Sequence, residues 1–279
     1  EIYIQDDLPS ESEIYFAKKI KHNDCRFSFS FLSCFFNKRL EEEHRKMKQM
    51  LTEKNRASHV VFDVFAGVGP MSIPIAVDRR KVKLPNSKIG VVHANDLNPE
   101  CYRSLSSNIC LNKLKDSDKL LQKFEAANLY VDSNEEPAIY AWNMDGAEFI
   151  ERALSSWKQH RKDNTFCHFL MNLPGSAVES FLYPFSQYFQ EASNSPTLDG
   201  VIVHVYTFVD KSPDLSNPEA AKKVYDALCP PNTLTGLETF VEHYLISPPY
   251  TVRYVSPSKQ MARVSFTLSP ATASAFLSR

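Results

Sequence analysis

The chain has 279 residues, 43% of them apolar and 12% aromatic, with a formal net charge of −1 at pH 7. This length and composition agree with one soluble domain plus an appendage and provide for a large core. No apolar run approaches the roughly 18 residues that a membrane-spanning helix needs, so we expect no membrane contact. The six cysteines show no Cys-x-x-Cys pair and no zinc spacing, which predicts reduced thiols in an intracellular protein.

The first 56 residues predict an α+β segment that precedes the main domain. Residues 12–21 favour a short helix, the alternation of Phe and Ser over 27–31 predicts a strand, and the charged run over 40–54 predicts a second helix. We therefore expect two parts, 1–56 and 57–279, the first being the end of a separate domain. The chain begins with Glu1 and not with Met, so we expect it to be a fragment whose true N-terminus, with any targeting signal, is absent.

An apolar strand followed by a glycine turn is the strongest local signal. Asp63 ends the strand, Gly67 and Gly69 allow a tight turn with close approach to a ligand, and Pro70 favours the start of a helix. The third glycine of the dinucleotide fingerprint is missing, which favours S-adenosylmethionine over a pyrophosphate ligand. The alternative is an ordinary strand-turn-helix in which Asp63 only braces the turn.

Polar residues follow three further apolar strands, which we predict at 89–96, 138–142 and 166–171. Asp96 is placed to bind ribose hydroxyls, and Asn98 opens a helix. Asp145 is placed for an adenine amino group, and Asn172 follows the last of these strands. Because ligands of open α/β sheets bind at the carboxyl ends of the strands, these residues predict one ligand site.

The remaining elements complete a doubly wound, mostly parallel sheet. We predict a fifth strand over 200–208, a helix over 217–228, and an antiparallel pair formed by 250–255 and 260–268. Residues 247–250, Ser-Pro-Pro-Tyr, are like the motif of enzymes that methylate exocyclic amino groups. Their position after the fifth strand favours a proline-rich loop instead, with a substrate role as the alternative.

Basic residues are concentrated on either side of the glycine turn. Residues 18–56 contain 11 positive and 5 negative side chains, and the polar insertion at 78–88 contains 5 positive and 1 negative. Such local surpluses are expected of a protein that binds nucleic acid. Solvated helix faces and a mobile loop would give the same pattern.

Five ordered blocks of sequence resemble the archaeal and eukaryotic tRNA (guanine-37-N1)-methyltransferase family. The blocks are residues 37–44, 62–70, 93–100, 143–146 and 171–177, and the resemblance extends from about Phe27 to the Arg253-Tyr254-Val255 region near the end. It implies a class I methyltransferase fold, S-adenosylmethionine as the donor, and the guanine next to the tRNA anticodon as the acceptor. The small N-terminal domain of full-length relatives is expected to be absent.

The resemblance also assigns roles to individual residues. It implies that Glu43 is the general base, that Arg39 is a basic active-site residue, and that Asn172 orients the substrate in a loop shaped by Pro174. No metal is required. On spacing alone, Glu43 belongs to a solvated helix face, and His44 is an alternative base because an unperturbed imidazole titrates near neutral pH.

The implied donor site combines the glycine turn with the strand ends. Its residues are Asp63, Phe65, Gly67, Gly69, Pro70, Asp96, Leu97, Asn98, Asp145, Gly146 and Asn172. Two features depart from the family pattern: Phe36 stands where eukaryotic relatives commonly have Trp, and the Phe-Asp-Phe-Ser pattern before it appears as Phe29-Ser30-Phe31.

The partner implied is the anticodon stem-loop of tRNA, bound by a monomer in the cytoplasm, nucleus or mitochondrial matrix. Two other functions remain open. One is the wybutosine-pathway aminocarboxypropyltransferase, which shares the fold and the cofactor. The other is a non-catalytic RNA-binding module with the same fold, because fold alone does not decide function.

Overall fold

A computed structural model describes most of the chain, namely residues 16–52, 58–81, 88–114, 129–132, 139–186, 199–212, 217–229 and 236–278. The chain divides into two compact units, Glu1–Gly146 and Ala147–Arg279. No helix within these described ranges is long and apolar enough to cross a membrane. Both units alternate strands and helices, which confirms the predicted α/β class.

In the first unit, a parallel ladder forms the scaffold of the predicted ligand site. The strands of this unit are β1 (Phe16–His22), β2 (Cys25–Ser30), β3 (Val60–Asp63), β4 (Lys88–Gly90), β5 (Val92–Asn95), β6 (Tyr130–Asp132) and β7 (Ile139–Trp142). The helices of this unit are a 3-10 turn (Lys38–Leu40), α1 (Glu41–Thr52), α2 (Ser72–Arg79), α3 (Pro99–Leu111) and the start of α4 (Gly146–His160). Strand β5 pairs in parallel with β3 on one side and with β7 on the other. The carboxyl ends of these three strands therefore meet at one edge.

The helix predicted at 12–21 is wrong over 16–21, which form β1. Asn23 and Asp24 both have positive φ, 47° and 66°, which is the conformation of a two-residue turn between antiparallel strands. The turn pairs β1 with β2, and β2 is held against α3 because its backbone N–H groups at Arg26 and Ser28 donate to Asn112 and Asn108. These contacts with residues distant in the sequence stabilise a strand here, although the local sequence favours a helix. Residues 12–15 lie outside the described residues.

The single strand predicted at 89–96 is divided into β4 and β5. A Cβ on Gly90 would lie 1.9 Å from the carbonyl oxygen of His59, so only glycine permits this close backbone approach. Strand β4 pairs with β6 in a separate antiparallel ladder. Between the two strands, the Val91 N–H donates to the Leu129 carbonyl at 2.8 Å.

Arg79 is wholly buried, although the sequence placed it in a polar insertion. Its guanidinium donates to the carbonyl oxygens of Gly90 at 2.7 Å and Leu51 at 3.2 Å, and so connects α2 with β4 and the end of α1. Burial lowers its pKa to about 9. Arg79 therefore does not contribute to a basic surface; residues 82–87 of the insertion lie outside the described residues.

The second unit contains one parallel strand pair and the predicted antiparallel hairpin. Its strands are β8 (Cys167–Met171), β9 (Val201–Asp210), β10 (Leu245–Tyr254) and β11 (Lys259–Thr267). Its helices, besides most of α4, are α5 (Ala177–Phe181), α6 (Pro218–Leu228), α7 (Leu237–His243) and α8 (Pro270–Leu277). Strand β9 is parallel to β8 and antiparallel to β11, which pairs with β10. Helix α8 packs on one face of this sheet, through Phe276 against Phe166.

The proline-rich loop predicted at 247–250 is wrong, because these residues form part of β10. The pairing of β10 with β11 shifts register between Leu245 and Ser247 and again between Ser247 and Tyr250. Proline has no N–H to donate, and it is tolerated at irregular positions of a strand that pairs along one side. Tyr250 is paired across the ladder with Arg263, whose guanidinium lies 4.7 Å from the centre of the Tyr250 ring.

Candidate functional site

The glycine turn after β3 has the conformation that its sequence predicts. Gly67 and Gly69 have positive φ, 56° and 90°. The Gly69 N–H donates to the Ala66 carbonyl, and the Gly69 carbonyl accepts the first hydrogen bond of α2 from Ile73. A Cβ on Gly69 would lie 2.7 Å from side-chain carbons of Ile73 and Leu105, so this position has neither the backbone freedom nor the space for another residue. Phe65 and Pro70 beside the turn are half-buried.

Asp96 directly contacts the glycine turn. Its carboxylate accepts hydrogen bonds from the Gly67 N–H at 2.8 Å and from the Asn98 N–H at 2.9 Å. Burial raises the pKa of this carboxyl group, and the two N–H bonds act in the opposite direction. The side chain is half-exposed and a carboxylate has about four acceptor positions, so it has capacity left for a diol. Leu97 and Asn98 next to it are exposed.

Asp63 is buried below the turn. The Ser72 hydroxyl at the start of α2 donates to its carboxylate. Burial raises the pKa of Asp63 to about 7, partly offset by this hydrogen bond. The contact with Ser72 agrees with the alternative in which Asp63 braces the turn; a ligand contact by Asp63 stays a prediction.

An asparagine that the sequence analysis did not single out connects the strand ends. The Asn95 amide group donates to the carbonyls of Val64 and Met144, and its oxygen accepts from the Met144 N–H. It thereby fixes the spacing between the ends of β3, β5 and β7. Asp145 is exposed after β7, and Gly146 is buried at the start of α4. The signal available in the sequence for Asn95 was a polar residue at the end of an apolar strand.

The segment between β2 and α1 runs beside the glycine turn. The Asn98 amide donates to the Ser33 carbonyl at 2.7 Å, and the Phe35 carbonyl oxygen lies 3.9 Å from the position of a Cβ on Gly67. Asn37 then accepts from the Arg39 N–H and caps the 3-10 turn that leads into α1. Arg39 is exposed. We call the edge formed by the glycine turn and Asp96 the donor edge. The chain thus passes from this edge directly to the helix that carries Glu43.

Helix α1 buries part of the acidic run that the sequence placed on a solvated face. Glu43 and His44 are 5% and 3% exposed, whereas Glu42 is exposed and pairs with Arg45. Glu41 accepts from the Asn23 N–H at 3.0 Å, so the β1–β2 turn is fixed to the start of the helix. The solvated-face alternative is therefore wrong for Glu43.

His44 is hydrogen-bonded to a second buried histidine. His44 Nδ1 and His22 Nε2 are 3.0 Å apart. Burial, together with the neighbouring His22, lowers the pKa of His44 to about 3, so both rings are neutral near pH 7. This pKa is far below the value near the working pH that suits a general base, and it disfavours His44 in that role.

Phe36 packs against the same hairpin. Its ring centre lies 5.3 Å from that of His22, 6.0 Å from that of Phe27 and 5.1 Å from that of Phe29. An aromatic side chain at this position therefore supports the loop before Asn37, and the phenylalanine ring makes these contacts.

In the second unit, Asn172 and Pro174 follow the end of β8 as predicted. Asn172 and Pro174 are half-buried, and Leu173 between them is exposed. The Leu173 carbonyl accepts from the N–H groups of Ser176 and Ala177 at the start of α5, which fixes the turn. The substrate roles of Asn172 and Pro174 stay predictions.

Comparison with known proteins identifies the family. Residues 19–176 match the model of the TRM5/TYW2 methyltransferase domain, which is more than half of the chain. The chain belongs to this family. It is 33% identical over 268 residues to a tRNA (guanine(37)-N(1))-methyltransferase of Ciona intestinalis, covering 91% of this chain and 47% of the relative. A Drosophila melanogaster protein of the same name is 34% identical, with 89% and 46% covered. The chain thus spans about half the length of these relatives.

Solved structures agree on the fold. The structure of Trm5b from Pyrococcus abyssi matches with a TM-score of 0.52 at 20% identity, covering 91% of this chain and 56% of the other. TYW2 from M. jannaschii, in complex with AdoMet, matches with a TM-score of 0.52 at 17% identity, covering 91% and 86%. The predicted class I methyltransferase fold, with its antiparallel hairpin at the end, is confirmed.

Proposed function

We propose that the protein transfers a methyl group from S-adenosylmethionine to N1 of guanine 37 in tRNA. The observation that carries this proposal is the connection between the donor edge and Glu43: Asn98 binds the segment that leads into α1, and the glycine turn lies beside it. Relatives at 33% and 34% identity are named for this reaction. The names of these relatives support the reaction class, and the residues of this chain support a mechanism.

The donor edge suits S-adenosylmethionine. Asp96 would accept hydrogen bonds from the ribose hydroxyls, and Asp145 with Gly146 would lie at the adenine. The turn from Asp63 to Pro70 would hold the methionine part, since Gly67 and Gly69 permit close backbone approach. When bound, the donor supplies an electrophilic methyl group on a positively charged sulfur.

Glu43 and Arg39 have complementary tasks at the acceptor. Guanine N1 carries a proton and is a poor nucleophile until this proton leaves, so the Glu43 carboxylate accepts it as general base. The donor, held by the glycine turn and Asp96, would supply the methyl carbon to which N1 bonds, with the sulfur as the leaving group. Arg39 stabilises the negative charge that develops on the 6-oxo group.

Asn172 and Pro174 would orient the guanine base. The Asn172 amide has both donors and an acceptor, which suits recognition of a guanine edge. Pro174 would keep the loop in one shape, so that the base is held in line with the methyl group.

The substrate is proposed to be the anticodon stem-loop of tRNA, bound by a monomer. Unpaired bases of an RNA loop are easier to capture than bases inside a helix. The compartment is proposed to be cytoplasm, nucleus or mitochondrial matrix, where tRNA is modified.

The aminocarboxypropyltransferase is the second candidate, because the matched family model includes TYW2 and the TYW2 structure of M. jannaschii matches at a comparable TM-score. The names of the curated relatives favour methyl transfer. The two reactions differ in which group of the same donor reaches the RNA.

The test is transfer of label from methyl-labelled S-adenosylmethionine to two tRNA transcripts that differ only in guanine or adenine at position 37. We expect label in the guanine transcript alone. A transcript with guanine 37 replaced by inosine, which keeps N1 and the 6-oxo group, measures the contribution of the exocyclic amino group. Equal labelling of the guanine and adenine transcripts, or none in either, would contradict the proposal.

A further inference from the structure

A group of aromatic and basic side chains lies where β9 and β10 end and β11 begins, and the mechanism above does not use it. We define the hairpin patch as Phe208, Lys211, Arg253, Tyr254 and Val255. Phe208, Tyr254 and Val255 are 37%, 55% and 38% exposed. These are exposed large apolar side chains at one end of the sheet, which makes this end a candidate binding surface.

The strand register places the patch around the end of the sheet. Arg253 pairs with Met261, which pairs in turn with Phe208. Because partners across strands point to the same face, Arg253 and Phe208 share one face. Tyr254 follows Arg253 along the strand and points to the opposite face. The patch therefore presents a ring and a cation on each side of the sheet's end.

Charge at the patch favours an anionic partner. The Lys211 ammonium lies 4.9 Å from the centre of the Tyr254 ring, a cation–π arrangement. The neighbouring acid, Asp210, is paired with Lys259 at 2.6 Å and is thereby neutralised. Among the described residues of the patch, Lys211 and Arg253 leave two positive charges.

The patch is continuous with the loop that follows β8. The Phe208 N–H donates to the Pro174 carbonyl at 3.3 Å. Strands β8 and β9 are parallel, with Met171 paired to Val205, so their carboxyl ends share one edge. Leu173 of this loop is 38% exposed. A ligand held by the Asn172–Pro174 loop would therefore extend towards the patch.

We propose that the hairpin patch binds unpaired RNA of the substrate. Tyr254 and Phe208 stack on bases, and Lys211 and Arg253 contact phosphates. Rings beside cations are typical of surfaces that bind single-stranded nucleic acid without reading its sequence, because every base has a π face. The identity of the RNA as tRNA rests on the proposed function; the binding chemistry does not.

The test measures the affinity of the 279-residue chain for a fluorescent anticodon stem-loop RNA by anisotropy at several salt concentrations. Tyr254→Ala is expected to weaken binding about fivefold to a hundredfold, which is the usual effect of removing one stacking ring. Lys211→Gln is expected to weaken binding and to lower the slope of log Kd against log salt by about one.

Matched controls use exposed residues of the second unit outside the patch. Tyr183→Ala removes a ring that is 69% exposed, and Lys222→Gln removes a lysine of α6 that pairs with Asp226. Both variants are expected to bind RNA like the wild type. All four are expected to bind S-adenosylmethionine with unchanged affinity, which shows that they are folded.

Equal RNA affinity and salt slope for the wild type, Tyr254→Ala and Lys211→Gln would overturn the proposal and leave the patch for a protein partner. Absence of RNA binding by the wild-type chain would overturn it as well. Because the assay involves no methyl transfer, it separates the two proposals: loss of binding in the patch variants supports the patch even where no methylated product forms. Methylation with unaffected binding supports only the proposed function.

Discussion

The donor edge and the start of helix α1 are built in different ways. Gly67, Gly69 and Asp96 form a site mainly through backbone conformation and bonds between neighbouring strand ends. Glu43 depends instead on contacts from the distant β1–β2 hairpin, through Asn23 to Glu41 and His22 to His44. The conformation of the glycine turn is therefore encoded by its own residues, whereas the burial of Glu43 depends on the β1–β2 hairpin.

We expect the largest effect from a substitution of Glu43, which should lower the reaction rate without changing the donor edge. Glu43→Gln should lower methyl transfer about a hundredfold to ten-thousandfold, which is the usual contribution of a general base, and leave S-adenosylmethionine binding intact. Single-turnover kinetics and calorimetric titration of the donor measure the two effects. The neighbouring Glu42→Gln, on the exposed side of the helix, is the control. Equal activity of the two variants would remove Glu43 from the mechanism.

Much of the fold followed from the sequence because its signals are local. The strand before Asp63, the glycine turn and the helix after Asn98 lie where the pattern predicts them. The burial of Glu43 was not predictable, because three consecutive glutamates have the same local pattern and only the hairpin distinguishes them. Strand β1 was missed for the same reason: its partner β2 and the turn at Asn23 override its local preference.

Substitution of Gly69 should have a large effect on stability, because the donor edge depends on the backbone conformation of this turn. Gly69→Ala should destabilise the protein by about 3–4 kcal/mol, because a positive φ and contacts of 2.7 Å with Ile73 and Leu105 oppose the new methyl group. Urea unfolding measures the change. Gly175→Ala is the control, since a Cβ there meets nothing within 4 Å. A stable Gly69→Ala protein would show that the turn is not constrained by its backbone.

Asp63 offers a test by pH. Its folded pKa, about 7, is above the ordinary value of 3.8, so its contribution to stability is fully present below about pH 4 and is lost as the pH rises through 7. Asp63→Asn removes this dependence. Relative to wild type, the variant should therefore gain about 2–4 kcal/mol between about pH 4 and pH 8 in urea unfolding. A constant difference between the two proteins would show that Asp63 is ionised throughout.

We expect the smallest effect from a substitution of His44, which tests how the hairpin holds α1. His44→Ala should cost about 2–3 kcal/mol of stability, because it opens a cavity and leaves the buried His22 without its hydrogen bond. Arg45→Ala, next to it in an exposed ion pair, should unfold like the wild type. Thermal unfolding of both variants tests the difference, and equal melting temperatures would contradict the role of the hairpin.

Nucleoside mass spectrometry of the reacted tRNA shows which atom of guanine 37 receives the transferred group. We expect N1-methylguanosine from the transcript with guanine 37, strongly reduced with Glu43→Gln. A methyl group on another atom, or an aminocarboxypropyl product, would contradict methyl transfer to N1 of guanine 37.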